Sequence, residues 1–298
     1  MSERPLGGLS VPAPPASPLP VVLIGFGAIG ATVWRLLLEA PQSVRLAGLL
    51  LRDSPQRTGP LGSRPGHAAA NALGTAVGAD LAPLLPAASG HGGPRALVVE
   101  CAGHEAVDSH GVASLEAGCD LLVVSAGALA DAKRHERLLA AARASGRQLI
   151  VPAGAIGGLD ILGAARLAGL HEVRYRSRKP PAAWMGTPAQ QLIDLAGLTQ
   201  PVVFYRGSAR AAARDYPRNA NVAATLALAT LGFEQTQVEL IADPGAGGNF
   251  HEIDAHGVTG SISLRIEGLA SPDNPRTSMV TAYSVARAVL ERRDTVLI

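Results

Sequence analysis

Aromatic side chains make up only 3% of this 298-residue sequence, and cysteine occurs just twice, at Cys101 and Cys119. Two cysteines cannot build a disulfide framework or a cysteine-rich metal centre. They read as small buried residues rather than nucleophiles. Charge of one sign is equally scarce. The formal net charge is +2 and the basic residues are scattered, so no polyanion-binding surface is expected and nucleic acid is excluded as a partner. No apolar run is long enough to span a bilayer, which excludes a membrane role of that kind. Residues 1–20 are proline-rich and lack the apolar centre of a secretion signal. They read as a disordered tail, and the chain is expected to be cytoplasmic. Metal and hydrolase signatures are missing too. There is no H-E-x-x-H, no C-x-x-C, no tight histidine–carboxylate cluster and no G-x-S-x-G elbow.

Small and aliphatic residues are what the chain has in quantity. Hydrophobic residues reach 47% and glycine occurs 34 times, so the core must be built from Ala, Leu, Val and Ile at close helix–sheet distances. The length allows two domains or one large α/β domain.

One stretch organises the rest. Val21-Val22-Leu23-Ile24 is a strand-forming run that leads into Gly25-Phe26-Gly27-Ala28-Ile29-Gly30, and a helical run over 31–40 follows at once. G-x-G-x-x-G alone is a weak signal. Between a strand and a helix it is the phosphate-binding turn of a dinucleotide fold. Gly25 allows the tight turn, Gly27 lets the backbone approach a pyrophosphate, and Gly30 lets the helix pack on the strand. Backbone N–H groups at the helix start, at Ala28 and Ile29, then face the anion. The plain alternative is a βα turn whose glycines serve packing only. A second strand, over 45–51, ends at Arg52-Asp53. An acid about twenty residues past the glycines is placed to accept the adenosine ribose hydroxyls, which points to Asp53. Arg52 beside it, and Arg57 nearby, are placed to pair with a 2′-phosphate or to be solvated loop charges. The pattern therefore admits NAD or NADP.

Residues 55–93 read as loops and short helices. Strand readings then alternate with helices: 96–103, helix 105–118, strand 120–125, a helix capped by Asp131 and ended by Gly146, and strand 148–152. That alternation predicts a Rossmann-type, doubly wound parallel sheet over 21–153. After residue 154 the grammar changes. A helix over 159–168 precedes strands at 172–178 and 202–207, an alanine-rich helix at 219–231, and strands at 237–242 and 261–267 that alternate apolar with polar. Strands with one wet face predict a second, α+β domain of mixed or antiparallel sheet over 154–276. That wet face, or a sheet edge, could meet a second subunit. A final helix, within 277–298, is expected to pack back on the first domain.

A nicotinamide enzyme also needs a group that moves protons, and the eight histidines are the natural pool. His67 and His91 lie in Gly/Pro loops, His135 in a charged helical segment, His171 at a helix end and His256 in a turn; these read as solvated or structural. His110 reads as structural. His104 follows a strand edge and could line the cofactor cleft. His251 follows the glycine-rich Asp243-Pro244-Gly245-Ala246-Gly247-Gly248 loop and could face the cleft. By alternation with Ile253 it could equally be a half-buried strand residue.

Several motifs, in collinear order from about residue 20 to the C-terminus, resemble the L-aspartate dehydrogenases. They include Gly25-Phe26-Gly27-Ala28-Ile29-Gly30, Val99-Glu100-Cys101-Ala102 and Gly154-Ala155-Ile156-Gly157-Gly158 in the first part. Later come Asn219-Ala220-Asn221-Val222-Ala223-Ala224, Asn249-Phe250-His251-Glu252-Ile253 and Asn274-Pro275-Arg276-Thr277-Ser278. The proline-rich leader and residues 59–66 depart from the family without touching a motif. The resemblance implies NAD(P)-dependent oxidative deamination of L-aspartate to iminoaspartate, which water converts to oxaloacetate and ammonia, and the reverse reductive amination. It implies His251 as the catalytic histidine, and Ala155 and Asn221 as cofactor contacts. A homodimer is expected. Lys179, Arg214, Arg218 and Arg276 are candidate partners for the substrate carboxylates, unranked. The competing expectations are a related reductase of another small acid, resembling homoserine dehydrogenase or dihydrodipicolinate reductase, and a non-catalytic NAD(P)-binding protein.

Overall fold

A computed structural model of the chain describes residues 17–52, 65–71, 74–85, 96–217, 219–271 and 274–297. The first half runs β1 (Leu19–Ile24), α1 (Ala28–Leu38), β2 (Val44–Leu50), α2 (Pro65–Asn71), β3 (Ala76–Gly78), β4 (Leu97–Glu100), α3 (His104–Glu116), β5 (Asp120–Val123), α4 (Ala132–Ser145) and β6 (Leu149–Ile150). The six strands form one sheet in the order β3-β2-β1-β4-β5-β6, and every pairing is parallel. This is the doubly wound arrangement expected from the sequence. Its strand order reverses between β1 and β4, where such sheets open a crevice at their carboxyl ends.

Burial explains why β1 reads as an unbroken apolar run. Val22 and Ile24 enter one core with Leu121 and Val123, while Val21 and Leu23 enter the other with Val33, Trp34 and Leu37 of α1. Both faces are covered, so alternation is lost from the sequence. The capping expectations for α4 hold: the Asp131 carboxylate accepts from the Arg134 N–H at 2.8 Å, and Gly146 closes the helix in the left-handed region. Helix α1 begins at Ala28, with Gly27 as its N-cap, so Gly30 lies inside the first turn rather than at the start. Edge strand β3 sits within the stretch read as loops and short helices. Three residues bounded by turns are too short to carry a periodic signal.

The second half runs α5 (Leu159–Ala168), β7 (Leu170–Lys179), α6 (Ala189–Leu192), β8 (Val202–Ser208), α7 (Ala209–Asp215), α8 (Asn221–Ala229), α9 (Gly232–Gln235), β9 (Thr236–Ala242), β10 (Asn249–Gly257), β11 (Gly260–Gly268), β12 (Ala270–Ser271), β13 (Asn274–Ser278) and α10 (Val280–Leu290). Five strands pair in the order β11-β10-β7-β9-β8, antiparallel except for β7 beside β9. Alternation is clean on β7. Val173, Tyr175, Ser177 and Lys179 are buried, while Arg174, Arg176 and Arg178 stand on the other face among Glu239, Glu252, Asp254 and Asp243. Helices α5, α7 and α8 cover the inner face.

Two contacts between the halves matter for the site. Helix α8 packs against the short turn at residues 126–130, just past β5. Helix α10 returns to pack on α1, placing Ala282, Val285, Ala286 and Val289 in the core beneath β1. The final helix, expected within 277–298, starts only at Val280, after β13 has paired with β12.

Candidate active site

The crevice begins at the three glycines, and each has a different reason to be glycine. Gly25 has φ +92°, and a Cβ there would lie 2.8 Å from Cβ of Ala102. A Cβ on Gly30 would lie 2.3 Å from the Gly25 carbonyl oxygen, a backbone atom that cannot yield. Gly27 is the opposite case, since a Cβ on it would meet no protein atom within 4 Å. Gly25 and Gly30 therefore serve the turn and its packing, and Gly27 leaves open space at the N-terminus of α1. No acidic residue occupies that first turn, so the positive end of the helix is left for an outside anion.

The facing wall is set by Glu100, at the end of β4. It is 1% exposed, and its carboxylate accepts from the N–H groups of Ala102 and Gly103 at 2.7 Å. It also accepts from Ser125 N and Oγ at 3.0 Å. Burial raises its pKa, against the opposing effect of these hydrogen bonds. Glu100 thus ties the turns after β4 and β5 together beside Gly25. The sequence reading placed it in an apolar strand and gave it no role.

From this end the cleft runs to the inner face of the second sheet. Ile29, Ala155, Lys179, Asn221, Asn249 and His251 all line it. The turn that presents Ala155 is pinned from behind, because the Gly154 N–H donates to Ser284 Oγ on α10 at 2.9 Å. Asn221, in the first turn of α8, accepts from the Gly127 N–H at 2.9 Å. A Cβ on Gly127 would lie 2.9 Å from Asn221 Oδ1 and 3.0 Å from His104 Nε2, so a larger residue there would displace the ends of both side chains. His104 is half-buried against Gly127 and Asn221 and is not part of the cleft wall. Burial, then the Arg134 charge, lowers its pKa.

His251 lies on the inward face of β10 and is 3% exposed. Its Nδ1 is 2.7 Å from the Tyr175 hydroxyl, and the two rings stack with centroids 6.0 Å apart. The ring lines the cleft, and its Nε2 is buried with no hydrogen-bond partner among the described residues. Burial, reinforced by the Lys179 charge, pushes the imidazole down to about 3, so it is neutral across the range in which proteins work. Both sequence readings are therefore met at once: it is a buried strand histidine, and it faces the cleft.

Lys179 stands at the carboxyl end of β7, 4% exposed, with its ammonium 5.6 Å from the Trp184 ring centre. Burial pulls its pKa down to about 8. Of the four basic candidates, Lys179 alone is shown in the cleft wall. Arg214 is exposed and paired with Asp215 at 2.7 Å. Arg218 lies outside the described residues, as does the side chain of Arg276. Among the ribose-end candidates, Asp53 and Arg57 lie outside the described residues. Arg52 is exposed at the end of β2 and pairs with Glu105 at 2.8 Å. His135, expected to be exposed, is half-buried, with its ring in an edge-type contact with Phe233 of α9.

A nicotinamide dinucleotide fits these residues. Among the described residues, space is open above Gly27, and polar atoms of Asn219, Asn249, His251 and Ser278 are buried along the cleft without a partner. Buried groups of this kind ordinarily find a partner, and a ligand with a carboxamide and hydroxyls supplies one. Tyr175, Ser177, Asn249 and Ser278 were not singled out from sequence. The available signal was polar residues on the inward face of otherwise apolar strands.

Comparison with known proteins agrees with this geometry. The family model "Aspartate dehydrogenase, C-terminal" matches residues 160–292, and "Homoserine dehydrogenase, NAD binding domain" matches residues 25–152. An L-aspartate dehydrogenase from Cupriavidus taiwanensis is 45% identical over 281 residues, covering 94% of this chain and all of that protein. One from Pseudomonas aeruginosa is 45% identical over 271 residues, covering 91% of this chain and 96% of the other. The crystal structure of aspartate dehydrogenase from Thermotoga maritima superposes with TM-score 0.70 at 26% identity, covering 94% of this chain and 99% of that one. With relatives matched end to end and the sheet, glycine turn and cleft histidine in one molecule, the chain belongs to the L-aspartate dehydrogenase family.

Proposed function

We propose that this chain oxidatively deaminates L-aspartate to iminoaspartate, which hydrolyses to oxaloacetate and ammonia, and runs the reverse amination, with His251 as its proton-transfer residue. The observation that carries the assignment to His251 is the partnerless Nε2 in a cleft that begins at the first turn of α1. When bound, NAD or NADP supplies the two-electron acceptor for the Cα hydride. Gly27, Ala28 and Ile29 would hold its pyrophosphate end in a turn shaped by Gly25 and Gly30, Arg52 would serve the ribose end, and Ala155 and Asn221 would serve the nicotinamide end.

The chain's own chemistry follows from burial. Before substrate binds, burial and the Lys179 charge leave the imidazole a weak base. A substrate carboxylate paired with Lys179 offsets that charge and raises its basicity. The imidazole then accepts a proton at Nε2 from the substrate ammonium or from the water that attacks the imine, and returns it in the reverse direction. Positioned proton transfer of this kind contributes roughly 10²–10⁴-fold. The Lys179 ammonium pairs with one substrate carboxylate, an interaction strengthened by exclusion of water. The amide donors of Asn219 and Asn249 are placed for the remaining oxygens. Assay of aspartate with each cofactor, and of oxaloacetate plus ammonia in reverse, followed at the nicotinamide absorbance, tests this reading. Cofactor binding without turnover on either side overturns it.

The oligomer and location belong to the same proposal. The outer face of the second sheet carries Arg174, Arg176 and Arg178 among Glu239, Glu252 and Asp254, a mixed-charge surface suited to meet a two-fold copy of itself in a homodimer. Light scattering on the purified protein decides it, and a monomer at assay concentration removes the dimer. No helix among the described residues is long and apolar enough to cross a membrane. The assignment to the cytoplasm rests on where aspartate and nicotinamide cofactors are found, and cell fractionation tests it.

A further inference from the structure

The imidazole of His251 lines the cleft and has two nitrogens, of which Nδ1 is held by Tyr175 and Nε2 has no hydrogen-bond partner among the described residues. For Nε2 to accept a proton, its lone pair must be free, so the ring's own proton must sit on Nδ1. Free histidine does not favour that arrangement, so the surroundings must impose it. The group in contact with Nδ1 is the Tyr175 hydroxyl, at 2.7 Å. Tyr175 is fully buried on β7, one strand over, and its ring is inclined only 14° to the imidazole, which fixes the orientation of both.

The cross-strand register supplies the third member. Ser177 is paired directly with His251, and Tyr175 with Ile253, so Tyr175, Ser177 and His251 all project from the same face. Ser177 is fully buried on that face, and its hydroxyl has no hydrogen-bond partner among the described residues. It is therefore available to accept the tyrosine proton.

We infer that Tyr175 is a positioning residue: its hydroxyl oxygen accepts the Nδ1–H of His251 and donates its own proton toward Ser177, holding the imidazole in the tautomer whose Nε2 lone pair faces the cleft. This rests on the reading of His251 as the proton-transfer group. When Nε2 takes a proton from the substrate amine, the Nδ1–H bond stays intact. The charge of the imidazolium is then delivered onto a tyrosine oxygen rather than into an apolar core. No proton leaves the ring through Tyr175, and the hydroxyl remains protonated throughout. Burial raises its pKa, which suits a group that must not ionise.

The test separates this from a packing role. Nitrogen-15 spectra of histidine-labelled apoenzyme at pH 7.5, with the His251 signals assigned by their loss in His251→Asn, report which nitrogen carries the proton. The wild type is expected to show Nδ1–H. Tyr175→Phe keeps the stacked ring and removes the oxygen. It is expected to move the proton to Nε2 and to lower kcat roughly 10- to 100-fold, with aspartate KM and cofactor Kd within threefold. Ser177→Ala is expected to give a mixture of tautomers and a smaller loss, which keeps the test open if the phenylalanine variant folds poorly. An Nε2–H wild type overturns the inference. So does a kcat loss in Tyr175→Phe without a tautomer change, or a tautomer change without a kcat loss. Failure of the proposed function looks different, because the wild type then turns over no aspartate while the spectra still report the tautomer.

Discussion

The two sheets of this molecule solve opposite problems. The parallel sheet is buried on both faces, and its central strand offers only Val21, Val22, Leu23 and Ile24 to its neighbours. It contributes backbone to the site, through a turn, a helix end and open space above one glycine. The second sheet is wet on one side, and on its dry side it carries Tyr175, Ser177, Lys179, Asn249 and His251 among apolar residues. It contributes side chains. Binding a shared cofactor asks for geometry that glycine provides, whereas discriminating and deprotonating one substrate asks for titratable groups. Burying such groups is costly unless a partner or a ligand is present. The contrast shows where substitutions should separate binding from chemistry.

The largest effect is expected on the side-chain half. His251→Ala should lower kcat/KM for aspartate by ~10²–10⁴-fold while leaving cofactor affinity, read by fluorescence titration, within a few-fold. Turnover near the wild-type value would erase the division between the two sheets. Lys179→Met, close in volume and uncharged, should raise aspartate KM by roughly 10-fold or more, the loss of one charge-assisted contact, with a smaller change in kcat. In the wild type, kcat/KM should lose this contribution as pH rises through about 8 and the ammonium deprotonates. The variant should lack that limb.

The backbone half is sharpened by a pair of glycine substitutions. Gly27→Val meets open space, so it should leave the melting temperature nearly unchanged and weaken cofactor binding at least 10-fold, because the side chain fills the space a pyrophosphate would take. Gly30→Ala drives a Cβ against the Gly25 carbonyl and should cost stability of about 1–3 kcal/mol by overpacking, read by denaturant unfolding. Equal effects from the two would mean that the glycines serve packing alone.

A separate effect is expected on stability against pH. His251 has its folded pKa far below that of an unfolded histidine, so the unfolded chain takes up the proton first as pH falls. Wild-type stability should therefore decline from about pH 6.5 downward, a window set by the unfolded pKa at the top. Relative to the wild type, His251→Gln should be flatter over that range. A parallel pair of curves would show that the imidazole is hydrated in the folded state.

Legibility followed the same division. The glycine turn, the strand beside it and the Asp131 and Gly146 caps depend on neighbours a few residues away, so they stand in the sequence with their spacing intact. Edge strand β3 did not, because three residues held by a parallel partner leave no periodic trace. His251 was placed from sequence in a strand after a glycine-rich loop, but alternation alone could not say which face was dry. Lys179 was one of four equivalent cations until β7 set it inward. Glu100 was hidden in an apolar run because its partners, Ala102, Gly103 and Ser125, come from two turns that meet only when β4 and β5 pair.

By itself, then, the order of residues determined a dinucleotide turn at Gly25 to Gly30, two sheets of different character, and a small set of groups able to move protons. Tertiary structure alone decided that Tyr175 touches Nδ1 of a histidine seventy-six positions later, and that this histidine lines the cleft that starts at α1. The reason is physical. Turns and caps are local and leave local marks, whereas a buried polar pair is formed by strand register, and register is fixed by the packing of the whole sheet.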